Sequence, residues 1–151
     1  MIAYLDSSVV LRLVLAQPEA LAEWHTIDEG VTSALTEVEC LRTLDRLRLR
    51  EGLDDQRLAV RREALFAFFA TVTVVELSRP VLERASLPLP TSLGTLDAIH
   101  LATAQLWRER SAPELVLATH DTELATAARA LGISVIGVPS GGRGSAAPSA
   151  P

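Results

Sequence analysis

An α/β fold of three layers, α/β/α, around a central parallel sheet of about five strands is predicted by three observations. Short β-rich segments alternate along the chain with segments of helical period. The first segment, Ile2–Leu5, is apolar without alternation, the pattern of a strand covered on both faces. A length of 151 residues with 48% hydrophobic content suffices for one domain with a substantial core.

The elements follow in order. After the Ile2–Leu5 strand, residues 8–16 carry a helical pattern that stops near Gln17-Pro18. A second short helix is expected from Pro18 to His25, with proline in its first turn. Gly30–Ser33 is the second strand. Leu35, Val38, Leu41, Leu44, Leu47 and Leu49 then set a helical period up to Gly52. Asp54-Asp55 caps a further helix that runs to about Ala70. Val72–Val75 is β-branched and short, a third strand. Ser78 precedes a helix with Pro80 in its first turn, and Leu87-Pro88-Leu89-Pro90 opens a loop. A strong helix begins at Thr95 or Asp97. Residues 114–118 form a strand, residues 122–130 a helix with Gly132 at its C-terminal cap, and residues 133–138 the last strand. Residues 1–139 are expected to form one domain and 140–151, SGGRGSAAPSAP, a flexible tail.

Composition excludes several classes. No apolar run reaches the roughly 18 residues of a membrane span. The N-terminus has no basic segment, and Asp6 comes too early for a signal peptide, so a cytoplasmic protein is expected. One cysteine, Cys40, rules out an internal disulfide and a Cys-rich zinc site, and its apolar neighbours mark it as a buried, inert thiol. The net charge is −5, all 14 basic residues are arginines, and seven of them lie between Arg42 and Arg62. An acidic chain with one basic segment can still meet a polyanion locally.

Asp6 ends its apolar strand on a carboxylate. In open parallel sheets the ligand crevice lies beyond the carboxyl ends of the strands, so Asp6 stands at the functional edge. First helical turns after a loop point to the same edge. They supply Glu39 in TSALTEVE, Asp97 in LDAIHLATA and Asp121 in ATHD. Any one acid at a helix start can simply complement the helix dipole. Four converging there is a different matter, because carboxylates at about 4 Å repel by roughly 4 kcal/mol at an effective dielectric near 20. Such a cluster calls for a cation, and oxygen ligands without a His or Cys quartet suit Mg²⁺ or Mn²⁺ over Zn²⁺. Glu37 competes with Glu39, but two residues on a helix are about 200° apart and cannot both face the site. Leu35, Val38 and Leu41 set the buried face and favour Glu39.

Ser7 or Ser8, and Thr119, are supporting hydroxyls for metal-bound water or a phosphate oxygen, with helix capping as their simpler role. His100, one turn beyond Asp97, is expected to be a packed core histidine, with orienting Asp97 or donating to a phosphate as the functional alternative. His120 is expected to be an exposed neighbour of Asp121, and His25 has no chemical context. Arg42, Arg46 and Arg50 follow Glu39 at spacings of three, four and four, so they share its helix face and form a basic stripe that can meet the phosphates of a polyanion. Salt bridges to Glu37 or Asp45, or to a partner's carboxylates, are the competing use of that stripe.

The stretches YLDSSVVLRL, TSALTEVECLRTL, LDAIHLATA and LATHDTEL, in this order over residues 1 to about 139, resemble the PIN-domain family and within it the toxins of VapC type. The family's acidic positions fall on Asp6, Glu39, Asp97 and Asp121, and its small hydroxyls on Ser7 or Ser8 and on Thr119. Leu124 departs from the aromatic residue frequent at that position. The resemblance implies a PIN-like fold and a Mg²⁺- or Mn²⁺-dependent endoribonuclease, usually a homodimer, inhibited by a cognate antitoxin protein that covers the acidic groove.

Other readings fit less well. A haloacid-dehalogenase-type phosphatase needs a second Asp where Ser8 stands and a lysine that the chain lacks. A phospho-receiver domain fails on the same lysine, and a P-loop NTPase on its Gly-rich lysine loop. A catalytically silent RNA- or protein-binding module is the non-enzymatic alternative.

Overall fold

The computed structural model describes residues 1–18 and 20–138; the expected tail, residues 140–151, lies outside the described residues. Five strands, all parallel, form one sheet: β1 (Ile2–Leu5), β2 (Glu29–Ser33), β3 (Thr73–Val75), β4 (Val116–Ala118) and β5 (Ser134–Ile136), in the order β3-β2-β1-β4-β5. Six helices accompany them: α1 (Ser7–Val14), α2 (Ala34–Glu51), α3 (Asp55–Phe69), α4 (Arg79–Ala85), α5 (Thr95–Arg110) and α6 (Thr122–Ala130). The expected α/β fold with five parallel strands is therefore present.

β1 is central, and its side chains divide the core by strand alternation. Tyr4 enters a cluster with Leu101, Leu117, Leu124 and Ala127, under α5 and α6. Ala3 and Leu5 enter a second cluster with Val9, Cys40, Leu44 and Leu65, under α1, α2 and α3. Two cores separated by one sheet make the three layers. Gly30 lies where β1, β2 and the lead-in to β3 press together: a Cβ there would stand 2.8 Å from Val72 Cγ1 and 2.9 Å from Leu5 Cδ1.

Two expectations need correction. The helix expected from Pro18 to His25 is only a 3₁₀ turn, Ala22–Thr26, with no buried residue of its own. Leu21, just before it, anchors to the core, and a segment this short with one anchor gains too little packing to nucleate an α-helix. Val38 does not belong to the buried face of α2: it is 55% exposed, while Leu35, Cys40 and Leu44 carry that face. Among the described residues no helix is long and apolar enough to cross a membrane.

From β1 the chain moves outward to β2 and β3, then crosses back to β4 on the other side of β1. The switch in direction between β1 and β4 opens a crevice at their carboxyl ends, the place where such sheets bind ligands.

Candidate active site at the carboxyl edge of the sheet

Asp6 leaves β1 directly into this crevice and is the N-cap of α1, with only 4% of its surface exposed. Its Oδ2 accepts from Ser8 Oγ at 2.6 Å and from Thr119 Oγ1 at 2.9 Å. Its Oδ1 meets only Ser7 Oγ at 3.4 Å and His100 Nε2 at 3.7 Å. The Ser8 and Thr119 hydroxyls thus converge on Oδ2, with Ser7 on Oδ1.

Thr119 leaves β4 as Asp6 leaves β1. Its hydroxyl donates to Asp6 and accepts from the Asp121 backbone N–H at 2.9 Å. Ser8 Oγ accepts from the His120 N–H at 2.9 Å, so the two strand ends are laced together twice. Asp121 caps α6, its Oδ1 accepting from the N–H groups of Glu123 and Leu124 at 2.8 Å each.

Glu39 projects from the second turn of α2. The start of that helix is anchored at the sheet edge: Leu35 N–H donates to Ser33 Oγ at 3.1 Å, and Thr32 Oγ1 donates to the Leu5 carbonyl at 2.7 Å. Glu39 Oε2 lies 2.6 Å from His100 Nε2, so Glu39 and not Glu37 faces the site. Val38, one of the residues used to infer which glutamate turns inward, lies on solvent.

Asp97 occupies the first turn of α5. Burial, then the charges of Asp121 and Asp6, raises its carboxyl above the usual aspartate range. His100 sits one turn further along, 1% exposed. Its Nδ1 is 2.8 Å from the hydroxyl of fully buried Tyr4. Burial alone would lower the His100 pKa, but the hydrogen bond to Glu39 and the charges of Asp6, Glu39 and Asp97 outweigh it and raise the value. Among the described residues no three His, Cys, Asp or Glu side chains are already gathered to hold one metal ion. The charges of Asp121, Asp6 and Glu39 all act on Asp97.

A profile of the PIN domain matches residues 3–130. The chain belongs to the PIN domain family. Over 137 residues this PIN domain protein is 39% identical to Ribonuclease VapC46 of Mycobacterium tuberculosis, covering 88% of this chain and 95% of that one. Ribonuclease VapC35 of the same species is 37% identical over 138 residues, covering 88% and 94%. In fold it is similar to FitAcB from Neisseria gonorrhoeae, with a TM-score of 0.63 at 21% identity over 90% of this chain and 96% of that one.

In this PIN domain the arginines of α2 begin one turn beyond Glu39. Arg42, Arg46 and Arg50 are exposed along α2. A groove of about 310 Å³ runs beside the site, with Leu35, Val38 and Leu96 as its apolar wall and Ser7, Glu39, Arg42 and Arg46 as its polar one. Arg42 pairs with Asp45 at 3.1 Å and Arg46 donates to Thr43 Oγ1 at 2.7 Å.

Two expectations for histidines change. His120 is half-buried, its Nδ1 3.0 Å from the Gly137 carbonyl, rather than an exposed neighbour. His100 is buried as expected, but it is bonded into the acid cluster and is not merely packed. Tyr4, which sequence reading counts as one more apolar strand residue, is its partner. The one sequence signal for His100 was its spacing of three from Asp97.

Proposed function

We propose that this protein is a divalent-metal-dependent endoribonuclease of VapC type, the toxin of a toxin–antitoxin pair. The reading is supported by Asp6 at the switch point of a PIN domain sheet, with the charges of Asp121, Asp6 and Glu39 all acting on Asp97. Relatives that align with nearly the whole chain bear the name Ribonuclease VapC. The donor set fits Mg²⁺ or Mn²⁺: carboxylate oxygens dominate it, and Asp97 among them is raised by burial first and then by the charges of Asp121 and Asp6. Asp6, Glu39, Asp97 and Asp121 would hold the ion. When bound, it supplies charge to fix a scissile phosphate, to acidify a water and to stabilise the leaving oxygen.

The chain's own residues orient that chemistry. Ser8 and Thr119 fix the Asp6 carboxylate by its Oδ2, and Asp121 stands on the same lacing. Ser7 is placed to meet a phosphate oxygen or water at the rim. Arg42, Arg46 and Arg50 guide RNA phosphates along α2 toward Glu39; the exposed bonds of Arg42 to Asp45 and of Arg46 to Thr43 are weak enough to exchange for RNA. Attack by water on phosphorus leaves a 5′-phosphate on one fragment and a 3′-hydroxyl on the other, with no covalent enzyme intermediate. A cognate antitoxin covering the acidic groove, and a homodimer, belong to the same reading.

Expression in a bacterial host tests it. The protein alone should arrest growth while RNA fragments with 5′-phosphate ends accumulate. Co-expression with the product of a small adjacent reading frame should restore growth and yield a co-purifying complex. Harmless expression of folded protein, with no new RNA ends, would favour the silent binding module. The incomplete ligand set is the observation on that module's side.

A further inference from the structure

Tyr4 and His100 use both imidazole nitrogens to connect β1 to α2 through α5. Tyr4 Oη is 2.8 Å from Nδ1, and Nε2 is 2.6 Å from Glu39 Oε2. The tyrosine and imidazole rings meet edge-on, with centroids 6.1 Å apart and planes inclined at 67°. Both side chains are buried, whereas Glu39 reaches the partly open rim of the crevice. A histidine serving packing alone needs only to satisfy its two nitrogens. This one spends them on a rigid strand residue on one side and on a functional carboxylate on the other.

We propose that His100, backed by Tyr4, is a positioning residue that holds the Glu39 carboxylate in register with Asp6. This rests on the nuclease reading above. A carboxylate only accepts hydrogen bonds, so the proton of the 2.6 Å hydrogen bond resides on Nε2. Nδ1 then faces the Tyr4 hydroxyl at 2.8 Å, a group that can donate to it. Tyr4 lies on β1 and precedes Asp6 by two residues, and Asp6 follows the strand in extended conformation, so strand alternation puts both on one side of the chain. One strand therefore places Asp6 directly and Glu39 through the relay, which sets the spacing between two acids that lie on separate elements. Holding Glu39 by Oε2 would leave Oε1 to face a cation, were one bound. Carboxylate ligands are commonly fixed in this way by an outer hydrogen bond, whose removal costs about 10–100-fold in metal affinity or activity.

The test compares His100→Leu, His100→Gln and Tyr4→Phe with the wild type. Mn²⁺ affinity is measured by calorimetry, and kcat and KM on a single-stranded RNA. His100→Leu should weaken Mn²⁺ binding by about 10-fold or more and lower kcat with little change in KM. His100→Gln keeps a donor near the Nε2 position and should recover part of the loss, and Tyr4→Phe should fall between it and the wild type. Combined with Glu39→Gln, His100→Leu should add nothing further, because the relay acts through Glu39. A lowered Tm with wild-type Mn²⁺ affinity and kcat in these variants would overturn the proposal. Additive losses in the double variant would do the same. If His100→Leu does not fold, Tyr4→Phe and His100→Gln decide alone. A metal-free readout separates this idea from the nuclease reading. In ¹⁵N-edited NMR the His100 ring N–H should be shifted downfield and protected from exchange, and Glu39→Gln should move it. Protection in a protein that neither binds Mn²⁺ nor cleaves RNA would support the hold on Glu39 and refute the nuclease. A rapidly exchanging ring N–H would overturn the relay whatever the activity.

Discussion

Thr119 Oγ1 donates a 2.9 Å hydrogen bond to Asp6 Oδ2 across the ends of the two strands that flank the switch point. The same oxygen accepts from the Asp121 N–H, so one buried hydroxyl ties two of the four acids together. Thr119→Val keeps the shape and removes both bonds, leaving the Asp121 N–H unpaired. We expect a loss of about 1–3 kcal/mol in urea unfolding, with Thr119→Ser retaining most of the stability. Equal stability of the valine variant would show that the lacing is dispensable.

Asp97 links pH to stability in metal-free protein. Its folded pKa is raised by burial first and then by Asp121 and Asp6. At low pH the carboxyl is protonated folded or unfolded. As pH rises, the unfolded carboxyl ionises first, and folding becomes less favourable until the folded one follows. Asp97→Asn in EDTA should therefore gain stability over the wild type as pH rises from about 4 to about 7. Saturating Mn²⁺ should remove the gain by stabilising only the wild type. Denaturant midpoints across that pH range check the sign; a margin that shrinks with pH would contradict it.

Cys40 is fully buried, and burial, then the charges of Glu39 and Asp6, pushes its thiol up to about 12. The thiolate is the reactive form, so native protein at pH 8 should resist iodoacetamide and react at once in urea. Fast labelling of folded protein would mean that the core under α2 opens readily.

The arginine stripe has a salt signature. Each RNA phosphate that the protein no longer neutralises should flatten the log–log salt dependence of single-stranded RNA binding by about 0.7. Arg46→Ala with Arg50→Ala, in a catalytically dead Asp6→Asn background, should flatten it by about 1.4 on the same basis and weaken binding alike across RNA sequences. Mn²⁺ affinity, compared with and without the pair of substitutions in a chain that retains Asp6, should not change. An unchanged slope would assign the stripe to the antitoxin instead.

Much of this architecture was legible from local chemistry. Asp6 stood out because a carboxylate interrupts an apolar run, and Asp121 because it directly precedes the helix it caps. Gly52 and Gly132 marked helix ends and do adopt the left-handed conformation that such ends require. What stayed hidden depends on long-range approach. Tyr4 and His100 are 96 residues apart, and His100 and Glu39 are 61 apart, so no local period signals either pairing. Val38 misled because a valine at helical spacing suggests core, and only the position of the sheet decides which stripe of α2 is covered. The segment after Pro18 carried a helix signal in its proline but too little apolar surface to sustain one.

Whether the four-acid crevice cleaves RNA with a divalent cation is the question on which the rest depends. Its most direct measurement is cleavage of naked single-stranded RNA by purified protein, with Mn²⁺ and with excess EDTA, for wild type and Asp6→Asn. We expect cleavage by the wild type with Mn²⁺, its loss in EDTA and recovery on adding Mn²⁺ back. Activity should fall by orders of magnitude in Asp6→Asn, which should still unfold cooperatively. Wild-type cleavage undiminished in EDTA, or full activity in Asp6→Asn, would contradict a metal-dependent acidic site.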